Sequence, residues 1–283
     1  MNIIGLGEPG CGVASEFEIY EQYNVCYIDH ENKRGRKNFH KIARRDSHEE
    51  YESKYRKIKF NNLKSKEVTV LAFSGAGKIS GAVLRLLEQL KGSPVEILYI
   101  KPDFSLLSSA EKTRHKIVLG VLQQYARSRL VNKIHVVDNS LVERVVGNIS
   151  IQSYWSDINK AISSTFHMLQ VFKNTEPMLS NFNDPGQTST ISTFGVLSFN
   201  NFDEKTFYNL HKPRCKKYFF GVTEKTLSNE KNLLQRIRTF LSSQQDEKCD
   251  YGFAIYSTQY EHDYVYTTHH ASLIQEENIT LQK

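Results

Sequence analysis

Short apolar runs separated by glycine-rich or polar turns recur along the first half of the chain. MNII (1–4), NVCYIDH (24–30), VTVLAF (68–73), PVEILYIKP (94–102) and KIHVVDN (133–139) read as strands. Their apolar character is continuous rather than alternating, as expected of strands covered on both faces. Helix-compatible stretches lie between them: VASEFEIYEQ (13–22), AVLRLLEQL (82–90) and AEKTRHKIVLGVLQQYARS (110–128). This strand–loop–helix repetition predicts a parallel sheet wrapped by helices, a doubly wound α/β domain. A longer helix is predicted from Gln152 to Lys173, with Trp155, Ile158, Ile162, Phe166 and Leu169 on one apolar stripe and Pro177 ending it. Beyond the polar NFNDPGQTST (181–190), ISTFGVLSF, KKYFFGVTE, YGFAIYST and DYVYTTHH read as strands. They surround one amphipathic helix, LSNEKNLLQRIRTFLSSQQ (227–245). The expected organisation is a doubly wound α/β domain over 1–151, a central helix over 152–176 and a smaller α+β domain over 187–283.

The chain has 283 residues, 39% of them hydrophobic and 24% charged, a globular composition. No apolar run approaches the roughly 18 residues of a membrane helix. The start reaches Gly5 and Glu8 too early for a signal peptide, and the four cysteines form no C-x-x-C pair. A cytoplasmic protein with reduced thiols, no metal site and no membrane partner is expected. The formal charge of +6 is concentrated in 33–67, in KRGRKNFHKIARR, KYRKIK and KSK. Such a run suits nucleic acid or an acidic partner. It lacks an aromatic stacking platform, so a solvated face is the better reading and a nucleic-acid partner is not expected.

GLGEPG (5–10) matches G-x-G-x-x-G between a strand and a helix, and Asp29 follows about 20 residues later. Alone, that pattern predicts an NAD-dependent oxidoreductase. A second glycine turn, SGAGKISG (74–81), also links a strand to a helix and offers another anion-binding set of backbone N–H groups. It is not a P-loop: Ala72 stands at the first glycine and Ile79 at the Ser/Thr position. His115, His135 and His167 are acid–base candidates for a dehydrogenase, but ordinary helix or strand placement explains each.

Two such turns followed by a long helix and a β-rich domain resemble the FtsZ/tubulin superfamily. GLGEPGCGVA is similar to its first loop, G-x-G-G-G-G-C-N-A, with Gly5, Gly7, Gly10 and Cys11 in register. GAGKISG lies over the signature GGGTGTG, with Gly75, Gly77 and Gly81 matching and Ala76, Lys78 and Ser80 between them. VVDNSLVERVVGNIS resembles the segment containing I-P-N-D-x-L-L, which singles out Asn139. SYWSDINKAI is similar to the helix that carries the guanine-contacting Asn, here Asn159. PMLSNF resembles the P-G-L-x-N before the catalytic loop.

The resemblance implies a tubulin/FtsZ-like fold, GTP or GDP with or without Mg2+, head-to-tail self-association, and a loop after the central helix that supplies acids to the next subunit's nucleotide. Several positions depart from the pattern. Glu8 and Pro9 replace glycines, Lys-Ile-Ser replaces Thr-Gly-Thr, and the γ-phosphate-sensing loop has no counterpart in KIARRDSHEEYE. The catalytic loop reads NFNDPG, with Asn183 and Gly186 where acids are expected and Asp184 displaced by one. Weak or no hydrolysis is therefore expected, with Asp184 the one catalytic candidate. Each residue also has a plain structural reading. Gly77 and Gly81 suit tight turns, Asn139 a helix cap, Asn159 a polar flank, and Asp184 an Asp-Pro-Gly turn. A nucleotide-free assembly protein of this fold, such as a virus-particle component, is the alternative, with NAD oxidoreductase a more distant one. The Asn-, Lys- and Tyr-rich composition suggests a phage-encoded relative, in host cytoplasm or virion, with other viral assembly proteins as partners. The ending ENITLQK, without a linker and terminal peptide, argues against a role in bacterial division.

Overall fold

Strands form where the sequence offers continuous apolar runs. In the computed structural model, which describes residues 1–32, 34–182, 189–244, 246 and 248–275, every residue of β1 (Asn2–Leu6) and of β4 (Thr69–Phe73) is buried. Along the chain α1 (Gly7–Ser15), β2 (Asn24–Asp29), β3 (Phe39–Lys41) and α2 (His48–Ser53) lie between these two strands. After β4 come a 3-10 turn (Lys78–Ala82), α3 (Val83–Gln89), β5 (Val95–Lys101), α4 (Ser109–Arg127), β6 (Lys133–Asp138), α5 (Asn139–Val146) and α6 (Tyr154–Lys173). The remainder holds β7 (Leu179–Ser180), β8 (Ile191–Leu197), β9 (Glu204–Thr206), β10 (Cys215–Thr223), α7 (Glu224–Asn229), α8 (Leu233–Ser243), β11 (Asp250–Thr258) and β12 (Tyr264–Ala271).

Among the described residues the strands form one sheet in the order β3-β2-β1-β4-β5-β6-β8-β12-β10-β11-β7, with β9 paired to β8. From β3 to β6 all neighbours are parallel. The crossing from β6 to β8 is also parallel but short, through Ile134↔Ile191 and His135↔Ser192. Beyond it, β12 runs antiparallel to both β8 and β10. One core, under α1, α5 and α6, continues from Ile3 and Val137 through Ile162 and Phe166 to Phe219 and Tyr256. On the opposite face one cluster lies under α2, α3 and α4, and another under α8. No helix among the described residues is long and apolar enough to cross a membrane.

Three local expectations change. Ile158, Ile162, Phe166 and Leu169 of α6 are buried, but Trp155, in its first turn, is 57% exposed. The helix expected over 227–245 is two helices, α7 and α8. Arg236 folds back across the break, pairing with Glu230 and donating to the carbonyls of Phe199 (3.0 Å) and Asn200 (3.1 Å). The first helix begins at Gly7, inside the glycine loop, and ends at Ser15, well short of the predicted limit.

Candidate functional site

The strand order reverses between β1 and β4, the two central neighbours that carry the glycine loops. From β1 the chain passes to α1 on one face, and from β4 to α3 on the other. Their carboxyl ends therefore open a crevice at a topological switch point, where open α/β sheets place ligands. The two loops meet there. Gly7 has φ +68°, a left-handed conformation that L side chains rarely adopt, and a Cβ on it would lie 2.9 Å from Ile79 Cγ2 of the second loop.

The glycines fall into two groups. Gly5, Gly10, Gly75 and Gly81 are demanded by packing: a Cβ on each would lie 2.6 Å from Gly10 O, 2.0 Å from Ala72 O, 2.2 Å from the Tyr99 hydroxyl and 2.0 Å from His48 O, respectively. Gly77 is exposed, and a Cβ there would meet nothing nearer than Ile79 Cγ2 at 3.7 Å. No protein contact would exclude a Cβ at this position. Cys11 is fully buried and donates its thiol to Gly5 O and Ile28 O. Burial pushes that thiol up to about 12, despite the nearby Arg36 charge, so it is not a nucleophile at neutral pH. Ser80 is buried and staples its own loop, donating to Gly77 O (2.7 Å) and Gly75 O (3.1 Å). Ala76 is buried and its carbonyl accepts from Arg114 of α4, while Lys78 is exposed at the rim.

Neither α1 nor the 3-10 turn has a side-chain cap at its N-terminus, so their leading N–H groups face the crevice without a side-chain acceptor. Amide donors and the positive end of the α1 dipole together suit an anion. Exposed Glu8 adds an opposing charge and Pro9 removes one donor, with Lys78 as the compensating cation.

On the α6 side of the crevice, Asn139 and Asn159 both lie near the first loop's layer. Asn139 does not cap α5. Asp138 does, accepting from Ser140 N (2.9 Å) and holding Lys101 at 2.7 Å. Asn139 is left as the first helical residue, buried, with its Oδ1 lacking a partner among the described residues. Such an orphaned acceptor is a group for which a ligand donor supplies the missing bond. Asn159 sits against α1: a Cβ on Gly12 would be 2.7 Å from its Nδ2. Asp29 ends β2 and accepts from His30 N at 2.7 Å. Asp184 and the rest of 183–188 lie outside the described residues.

Sequence reasoning missed three contributors: Arg114, Arg36 and α2, whose His48 carbonyl abuts Gly81. Ser47 caps α2 and is followed by acids in the first turn, a readable helix start within DSHEEYE. Nothing in the chain marks the arginines. A Ser192–His135–Glu96 chain (2.9 and 3.1 Å) has the residue types of a hydrolase triad, yet Ser192 is 1% exposed and offers no substrate access. Among the described residues no group of three or more His, Cys, Asp or Glu side chains is placed to hold a metal.

No protein-family model and no curated relative matches the chain. Solved structures do. A GTPγS-form protofilament of Bacillus thuringiensis serovar israelensis TubZ matches with a TM-score of 0.69 at 14% identity, covering 97% of this chain and 86% of that one. The GTPγS-bound protofilament of Haloferax volcanii CetZ2 gives 0.67 at 13%, covering 98% and 94%. An empty FtsZ dimer from M. jannaschii gives 0.64 at 11%, covering 95% and 87%. The switch-point crevice, the paired glycine loops and the long helix beside them thus belong to a chain with the FtsZ/tubulin fold.

Proposed function

We propose that this protein binds a guanine nucleotide in the switch-point crevice and assembles head to tail, with weak or no hydrolysis. The observation that carries the binding half is Gly77, whose bare, exposed backbone no protein contact requires. The orphaned Asn139 Oδ1 and the Asn159 amide beside Gly12 supply polar groups for a base, and the uncapped helix ends supply donors for phosphates. Glu8 at the rim opposes added negative charge, which favours slow turnover. Asp184 is assigned the carboxylate presented to a neighbouring subunit's nucleotide.

Assembly is supported by exposed apolar side chains at both ends of α6. Ile151 (95%) and Trp155 (57%) flank its start, and Met178 (65%) and Leu179 (43%) follow its end. Two different patches at opposite ends of a helix roughly 30 Å long suit a head-to-tail contact, which propagates instead of closing. The first test is chromatography of nucleotide released from the purified protein, with pelleting in the presence and absence of GTP. Guanine nucleotide and GTP-dependent pelleting are expected. An empty protein that pellets regardless of GTP would favour a purely structural assembly role, and NAD in the extract would restore the oxidoreductase reading. Asn159→Ala should weaken guanine nucleotide about tenfold, the value of one lost polar contact.

A further inference from the structure

The basic segment 33–67 is not a uniformly solvated face. Phe39–Ala43 and Lys54–Lys59 enclose a groove of about 610 Å³. Lys41, Arg56, Lys57 and Lys59 line it, are exposed, and form no ion pair among the described residues. Among the described residues no carboxylate lines it, and Ile42, Tyr51, Ile58 and Ala82 make an apolar floor. The groove is preformed. Gln89 of α3 clamps its outer wall by accepting from the Tyr55 hydroxyl (2.8 Å) and Ile58 N (2.9 Å) and donating to Ile58 O (2.5 Å).

The inner wall is the edge strand of the sheet. β3 pairs with β2 alone, and the bonds Tyr27 N→Asn38 O and Ile42 N→Asp29 O turn the even-numbered backbone groups toward β2. In a parallel ladder the N–H and C=O of Phe39 and Lys41 then point the other way, into the groove. His40 adds a buried Nε2 with no partner among the described residues.

We propose that this groove binds an extended acidic peptide that adds to β3 as a strand. Alternation along a strand puts every second side chain on the same face, so a peptide alternating acidic and apolar residues meets the cations with one face and the floor with the other. A nucleic acid fits less well. The Tyr51 ring is buried with its hydroxyl bonded to His30 and Arg45 N, Tyr55 is tied to Gln89, Phe39 packs against the core and His40 stands edge-on to Phe60, so each ring along the groove is already engaged. This inference stands independently of the nucleotide site.

The test is fluorescence anisotropy on the full chain with a labelled peptide of about nine alternating Glu and Val residues. Saturable binding is expected, weakened at least about tenfold by the double variant Arg56→Glu, Lys57→Glu and left unchanged by Lys231→Glu on the distant α7–α8 turn. The same peptide N-methylated at alternate residues keeps its charge but loses its ladder donors, and should bind at least about tenfold more weakly. Equal binding of the methylated peptide, or indifference to Arg56→Glu, Lys57→Glu, overturns the proposal. So does tighter binding of a short oligo-dT, which would make the groove a nucleic-acid surface.

Discussion

An alanine at position 10 would place its Cβ 2.0 Å from the Ala72 carbonyl oxygen, a backbone atom that cannot rotate away. Alanine's helix propensity is worth about 1 kcal/mol over glycine, but overpacking costs about 1–3 kcal/mol or more, so the clash prevails. Gly10→Ala should therefore lower the free energy of unfolding measured in urea. Gly77→Ala has φ −73° and room at 3.7 Å, and should change stability by less than about 0.5 kcal/mol. If the crevice holds a phosphate, nucleotide affinity falls in that second variant alone. Both glycines were readable as loop residues in G-x-G-type patterns. What separates them is the approach of a neighbouring strand, and a single chain does not print its neighbours. Cys11 and Ser80 are similar cases. The motif marks their positions, but the loop itself consumes their donors.

At the scale of elements, α6 is the most legible feature, because four buried residues repeat at helical spacing over its length. Phe166 sits at their centre, edge-on to Phe17 (5.9 Å), His135 (5.3 Å) and Phe194 (6.0 Å), and so joins the turn after α1 to β6 and β8. Phe166→Ala should cost about 3–5 kcal/mol, readable in chemical denaturation. Trp155 belongs to the same periodicity and lies outside the core, because periodicity marks a face of the helix and not the extent of the surface it covers. The α7–α8 break was invisible for a different reason. The apolar pattern runs through it, and the chain is interrupted by tertiary bonds from Arg236 to Phe199 and Asn200, distant in sequence.

Across the whole molecule, the parallel and antiparallel parts of the sheet join through two residue pairs where β6 meets β8, and buried histidines gather around that join. His270 is enclosed among Lys133, His135, Lys217 and His269, with its Nδ1 unpartnered among the described residues. Burial first, and those cations second, hold it well below its ordinary value of 6.5. Burial likewise lowers His40, His48 and His167. Each therefore binds its proton more weakly folded than unfolded, and takes up a proton on unfolding as the pH falls below 6.5. Stability is thus complete above that pH and declines as the pH falls, with the enclosed His270 contributing at most about 1.4 kcal/mol per unit. The thermal midpoint should drop between pH 7 and 5.5, and His270→Gln should flatten that decline. The parallel sheet and its glycine loops could be read from the chain, whereas the crowding of cations around His270 required the register of β6, β8, β12 and β10.

Gly7 belongs to the helical layer on one side of the sheet and Ile79 to the layer on the other, and they touch at the mouth of the crevice. That contact makes the two cradles a single energetic object. Substitutions in one loop should not add to those in the other, and a Gly7–Ile79 double-mutant cycle would report a coupling of about 0.5–3 kcal/mol. Whatever settles in the crevice therefore bridges both layers at once, and can change the balance between them without moving a strand.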